Sequence, residues 1–171
     1  MNNPSMLKRS FGTVADISSD RRRRRRVHAH EGARILLIED SVTVTAVLQR
    51  MLRQNRYVTM TVAAAEDGVE LARRIRPDLI FLDVVLPGMD GFAAASVLRH
   101  DPITCAIPVV LMSSSERVTQ QVNAGNFEAD GFMRKPFSRL DLFSMIERMF
   151  CANRAPANAA AAARHDVLQT A

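Results

Sequence analysis

The 171-residue chain is poor in lysine, in cysteine and in long apolar runs. Cysteine occurs only at 105 and 151, with no second pair to complete a metal-type spacing; two reduced thiols are expected, not a disulfide framework. No apolar run approaches the roughly 18–20 residues that cross a bilayer, and the N-terminus lacks the apolar core of a secretory signal. A cytoplasmic chain with no transmembrane segment is expected. Lysine occurs twice, at 8 and 135, against 21 arginines. Only one of these lysines, Lys135, lies in the part of the chain that reads as folded. No internal repeat is visible.

The net charge of +5 is unevenly spread. Residues 1–34 hold nine Lys/Arg against three Asp/Glu, a net +6; residues 35–171 hold fourteen against fifteen, a net −1. The basic character therefore belongs to a leader and not to the body. Residues 1–33 are polar, lack periodicity and contain Arg21–Arg26, six like charges in a row that resist packing; a disordered basic leader is expected. The leader could serve as an adaptor for a polyanion (nucleic acid, an anionic membrane surface or an acidic partner). No aromatics are interleaved with the arginines, so base stacking has no support. His28 and His30 read as incidental.

From Arg34 onward apolar runs alternate with helical patterns. RILLI (34–38), 57–62, 79–82, 107–112 and 132–134 read as strands; 42–54, 66–75, 91–99, 116–123 and 138–150 read as helices, the last with Ser138 as N-cap. Five continuous apolar strands alternating with five helices predict an α/β domain over 34–150, a doubly wound five-stranded parallel sheet covered on both faces. Residues 151–171 are alanine-rich, contain Pro156 and read as a C-terminal tail able to form a transient helix, too short for a DNA-binding or catalytic domain.

Open α/β sheets bind ligands at the carboxyl ends of their strands. There the first strand ends in Glu39-Asp40-Ser41, the third in Asp83, the fourth in Ser113-Ser114-Ser115 and the fifth in Lys135-Pro136-Phe137; the second ends in alanines. Each feature alone is ordinary: a turn aspartate, a helix cap, a serine loop, a solvated lysine. Their order, with one on each strand end but the second, points to a single pocket. Three carboxylates together need a cation, and hard oxygen donors suit Mg²⁺. Lys135 is a compact charge for a carboxylate or phosphoryl oxygen, and the Ser113 hydroxyl can donate to an oxyanion. Asp83 is then a candidate nucleophile for a phosphoryl group. The turn formers Pro87, Gly88, Asp90 and Gly91 would shape the loop beyond it.

The segments ILLIEDS (35–41), PDLIFLDVVLPGMDGF (77–92), IPVVLMSS (107–114) and GFMRKPF (131–137) resemble the receiver domain of two-component signalling, the CheY-like, flavodoxin-like fold. The resemblance implies the strand order 2-1-3-4-5. It implies phosphorylation of Asp83 by a sensor histidine kinase, and Mg²⁺ held by Glu39, Asp40, Asp83 and the Val85 carbonyl. Ser113, Phe132 and Lys135 would form the phosphoryl-binding and switch set, and Pro87, Gly91 and Pro136 would shape the loops. It further implies a regulatory phosphoacceptor and not a turnover enzyme, whose face of the fourth helix, fifth strand and fifth helix an effector protein would read; the apolar Val85 and the small Ser115 predict slow self-dephosphorylation. Within the family the wording is similar to stand-alone regulators of chemotaxis-like systems that control type IV pili and twitching motility. The chain departs from the usual pattern at Ser113, where many members carry Thr, at Phe132 in place of Tyr, and at the apolar Val85 and small Ser115. A Mg²⁺-dependent phosphatase with an aspartyl nucleophile is the alternative, but such enzymes carry a D-x-D pattern on the first strand, which here ends Glu-Asp.

Overall fold

The structure is a computed structural model that describes residues 30–123 and 128–166. Most of the expected leader, including Arg21–Arg26 and His28, lies outside the described residues, as do the last five residues of the tail, 167–171. The order is β1 (Arg34–Ile38), α1 (Val42–Arg53), β2 (Val58–Val62), α2 (Ala65–Ile75), β3 (Leu79–Asp83), α3 (Gly91–His100), β4 (Val109–Ser113), α4 (Glu116–Asn123), β5 (Gly131–Arg134) and α5 (Arg139–Asp166). All pairings are parallel, in the order β2-β1-β3-β4-β5, as expected.

The apolar runs have a hidden alternation, because successive side chains of a strand point to opposite faces. Leu36, Ile38, Ile80, Leu82, Val109 and Leu111 share one core with Val69 and Ala72 of α2, Ala94 and Leu98 of α3, and Val118 and Val122 of α4. Ile35, Leu37, Leu79, Phe81, Val110 and Met112 share the other with Leu48 and Leu52 of α1 and Leu142, Ile146 and Met149 of α5. The central strands β1, β3 and β4 are therefore buried on both sides, while the edge strand β2 is only half-buried.

Local signals place the ends. Ser41 caps α1 by accepting from the Val44 amide at 3.4 Å, and Asp90 caps α3 by accepting from the Ala93 amide at 2.8 Å. Ser138 caps the start of α5 in a reciprocal box: its hydroxyl accepts from the Asp141 amide at 3.2 Å while its own amide donates to Asp141 at 2.9 Å. Three boundaries differ from expectation by more than one residue. β4 starts at Val109 and not Ile107, because Pro108 has no N–H for the ladder and serves only as acceptor for the Ile80 amide. The packed body includes His30: Gly32 donates to the Arg56 carbonyl at 2.9 Å, and the His30 ring stacks on Phe150 with centroids 4.4 Å apart. Finally, the helix α5 was expected to stop at Phe150, the last of its described buried positions, but its backbone runs on to Asp166 through the alanine-rich stretch. Alanine is the strongest helix former, so the backbone needs little packing to continue there.

One carboxylate invisible to periodicity fixes the entry of β4. Asp130 accepts from the Val109 amide at 2.8 Å and from the Arg99 guanidinium at 2.6 Å. Val109 is buried, so removing its acceptor strands an amide. Asp130→Ala is expected to lower stability by about 1–3 kcal/mol and Arg99→Ala by less, as read from urea denaturation midpoints; an equal loss in both variants would contradict the assignment of the cost to the amide.

Candidate metal and phosphoryl site

Four strand ends meet at the carboxyl edge of the sheet. Glu39 follows β1 directly and is 3% exposed; Asp83 is the last residue of β3 and is 6% exposed. Lys135 follows β5, and its ammonium donates to Glu39 Oε2 at 2.7 Å and to Asp83 Oδ2 at 2.8 Å. Its side chain is only 14% exposed. The body's single lysine thus bridges two carboxylates that lie 96 and 52 residues away in sequence. The second oxygen of each is held by a local amide: Glu39 Oε1 by Ser41 N–H at 3.3 Å, and Asp83 Oδ1 by Val85 N–H at 3.2 Å.

The electrostatics follow from burial. Desolvation pushes the Glu39 carboxyl above its ordinary value; the Lys135 hydrogen bond pulls it back only in part, and the Asp83 charge adds to the rise. Desolvation also acts to lower Lys135, but its hydrogen bonds to Asp83 and Glu39 outweigh it, and the ammonium stands above its ordinary value. Lys135 is therefore a fixed positive charge at any physiological pH. Among the described residues, no buried side-chain nitrogen or oxygen lacks a partner.

Asp40, unlike Glu39, faces solvent. Glu39, Asp40 and Asp83 each offer one carboxylate oxygen, and these oxygens lie within 4.8 Å of one another. This is a hard, all-oxygen donor set on one side of a cleft, the kind that suits a small divalent cation. The cleft, about 590 Å³ in volume, is lined by the three acids, Lys135, Val85 and Ser114, and extends over Val44 and Val47 of α1 to Pro136 and Phe137. The Lys135–Pro136 peptide is cis.

Several expected residues take places the sequence did not show. Ser113 is fully buried behind the cleft, and its hydroxyl accepts from the Ser115 amide at 3.1 Å, while Ser114 lines the opening. Phe132 is half-buried against the core beneath α2, α3 and α4. Val85 is exposed at the mouth. Pro87 lies exposed in the loop between β3 and α3. Gly91 packs α3 directly on the end of β3: a Cβ there would stand 2.3 Å from the Asp83 carbonyl oxygen. Glu66, in the first turn of α2, is a site neighbour with no sequence signal of its own: its carboxylate accepts from the Met89 amide at 3.0 Å, whereas an acidic residue in a first turn otherwise looks like an ordinary dipole partner.

Removing Lys135 leaves two buried carboxylates facing each other with no counter-charge. Lys135→Met is expected to cost about 3–5 kcal/mol at neutral pH without added divalent ion. Asp83→Asn in the same background should recover part of that loss, as read from denaturation curves; full additivity of the two changes would show that the three groups do not act as one unit.

A family model described as the response regulator receiver domain matches residues 35–147. Protein PilH of Pseudomonas aeruginosa is 34% identical over 114 residues, covering 67% of this chain and 94% of that protein. Other curated relatives are longer, and the chain spans 26% of one and 54% of another. Among solved structures, the receiver domain of sensor histidine kinase PA1611 from Pseudomonas aeruginosa is 29% identical, with a TM-score of 0.64 over 69% of this chain and 97% of that one; it has a magnesium ion coordinated in its active site cleft. Chemotaxis protein CheY4 of Vibrio cholerae is 25% identical, with a TM-score of 0.61 over 69% and 98%. With its strand order, its acidic edge and these matches, the chain belongs to the response regulator receiver domain family.

Proposed function

We propose that Asp83 is the phosphoacceptor of this receiver, that the donor is a phosphohistidine on a sensor histidine kinase, and that the reaction depends on Mg²⁺. The observation that carries the reading is the geometry of Asp83: Oδ2 is taken up by Lys135, while Oδ1 has only an amide at 3.2 Å, and the residue borders the cleft. Oδ1 is thus the oxygen available for attack. The Oδ1–P bond forms in line with cleavage of the donor N–P bond, and the leaving imidazole takes its proton from solvent. Catalysis here is positioning plus neutralisation of charge. Glu39, Asp40, Asp83 and the Val85 carbonyl would hold Mg²⁺, which when bound supplies positive charge opposite the phosphoryl oxygens.

The product carries roughly −1.5 to −2 charge. Lys135 is placed to follow that charge from the carboxylate to the phosphoryl group. The Ser113 hydroxyl would turn from the Ser115 amide toward a phosphoryl oxygen, and Phe132, half-buried beside β4, would move into the space released. These changes bias the face formed by α4, β5 and α5, which an effector protein reads. The motif wording and the similarity to PilH favour a chemotaxis-like system of the type IV pilus and twitching-motility kind, acting in the cytoplasm. Among the described residues no helix is long and apolar enough to cross a membrane.

Incubation with Mg²⁺ and acetyl phosphate, followed by mass analysis, tests the core of this reading. A base-labile phosphoryl adduct on Asp83, absent from Asp83→Ala, is the expected result; labelling that survives in Asp83→Ala would overturn it. The lifetime of the adduct is a second readout. Val85 is exposed and apolar at the mouth of the cleft and offers no side-chain group to orient water. Val85→Asn is expected to shorten the lifetime several-fold at saturating Mg²⁺, and an unchanged decay rate would remove Val85 from the account.

A further inference from the structure

The loop from Val84 to Asp90 joins the candidate acceptor to α3. Both of its ends are tied. At one end Val84 donates to the Met112 carbonyl and accepts from the Gly91 amide, at 2.9 and 3.0 Å; at the other Asp90 caps α3. Between them run Leu86, Pro87, Gly88 and Met89. Among the described residues, one hydrogen bond reaches these four from another element: Met89 N–H to Glu66 Oε1, at 3.0 Å. The same carboxylate lies against Gly88, where φ is +80°; a Cβ at that position would meet Glu66 Oε1 at 3.0 Å. The loop thus uses a left-handed glycine that presents its bare face to the acid.

Glu66 comes from the junction after β2, whose strand end brings none of the polar groups that the other four bring to the cleft edge. It is not among the three residues whose oxygens converge on the candidate cation position, so it is not a candidate ligand. Its helix, α2, is anchored through Val69 and Ala72 in the same core as Ala94 and Leu98 of α3. The carboxylate therefore hangs from a fixed element, and its hydrogen bond to a backbone amide is charge-assisted.

We propose that Glu66 is a positioning residue for the phosphoacceptor site: it holds the Gly88–Met89 turn against α2 and thereby fixes the backbone of Val85, whose carbonyl is a candidate ligand of the cation. This inference rests on the reading of Asp83 as acceptor. It makes the β2–α2 junction, otherwise devoid of site chemistry, a determinant of metal affinity.

The test uses the full chain, with Glu66→Ala and Glu66→Gln. Gln keeps a carbonyl oxygen for the Met89 amide but loses the charge. In metal-free protein, amide hydrogen exchange at Met89 and Val85 is expected to quicken in Glu66→Ala and to return toward wild type in Glu66→Gln. Calorimetric titration with Mg²⁺ alone should show affinity weakened roughly three- to tenfold in Glu66→Ala and largely restored in Glu66→Gln, with urea midpoints unchanged. Unchanged Val85 exchange and Mg²⁺ affinity in Glu66→Ala would overturn the proposal. So would a Gln variant as impaired as Ala, which would mark a through-space effect of charge. Wild-type labelling by acetyl phosphate separates the two readings: failure to label Asp83 in wild type sinks the acceptor assignment, whereas normal labelling with an indifferent Glu66→Ala sinks only this one.

Discussion

A single ammonium group, that of Lys135, sits between two nearly buried carboxylates, and the rest of the site is arranged around it. Glu39, Asp83 and Lys135 come from three different strand ends, and none could be held so far from water without the others. Charge pairs of this kind contribute little to stability, because desolvation cancels much of the attraction. Their consequence is geometric. One oxygen of Asp83 is bonded to the ammonium, and the other keeps a single amide, at the border of the cleft. From the sequence alone, three crowded acids call for a divalent ion. In the structure the protein's own cation already reconciles two of them, and the third, Asp40, stands outward with an oxygen available.

The apolar architecture makes that arrangement possible. Because alternate residues of β1, β3 and β4 feed different cores, these central strands are dry on both faces and meet polar groups at their carboxyl ends, while the edge strand β2 carries the half-buried Thr59 and Thr61. The parallel order β2-β1-β3-β4-β5 then brings the ends of β1 and β3 side by side, with β4 and β5 beyond. The close seat of Gly91 on Asp83 draws α3 up against the end of β3, and the buried Ser113 hydroxyl accepts from the amide of Ser115 just before α4.

Much of this was legible in the residues. Five apolar runs marked the strands, and their terminal residues named the site because a polar group ending a buried strand has few other places to go. Lys135 stood out because the chain uses arginine nearly everywhere else. What could not be read depended on contacts distant in sequence. Nothing in three successive serines tells that Ser113 turns inward while Ser114 lines the cleft. Glu66 and Asp130 resemble surface acids until the amides of Met89 and Val109 are placed beside them. The turn at His30–Ala33 is held by Arg56 and Phe150, which no local pattern could supply. The alanine-rich stretch carried its helix propensity openly, but its lack of an apolar periodicity hid how far the backbone would follow it.

The central claim is that Glu39, Asp40, Asp83 and Lys135 form one pocket built to hold a cation beside a single reactive carboxylate oxygen. A high-resolution crystal structure of the chain grown with Mg²⁺ tests it most directly. One ion bound by oxygens of Glu39, Asp40 and Asp83 and by the Val85 carbonyl is expected, with the Lys135 ammonium still within hydrogen-bond distance of Asp83. An ion bound elsewhere, or the four side chains dispersed into separate surroundings, would contradict it.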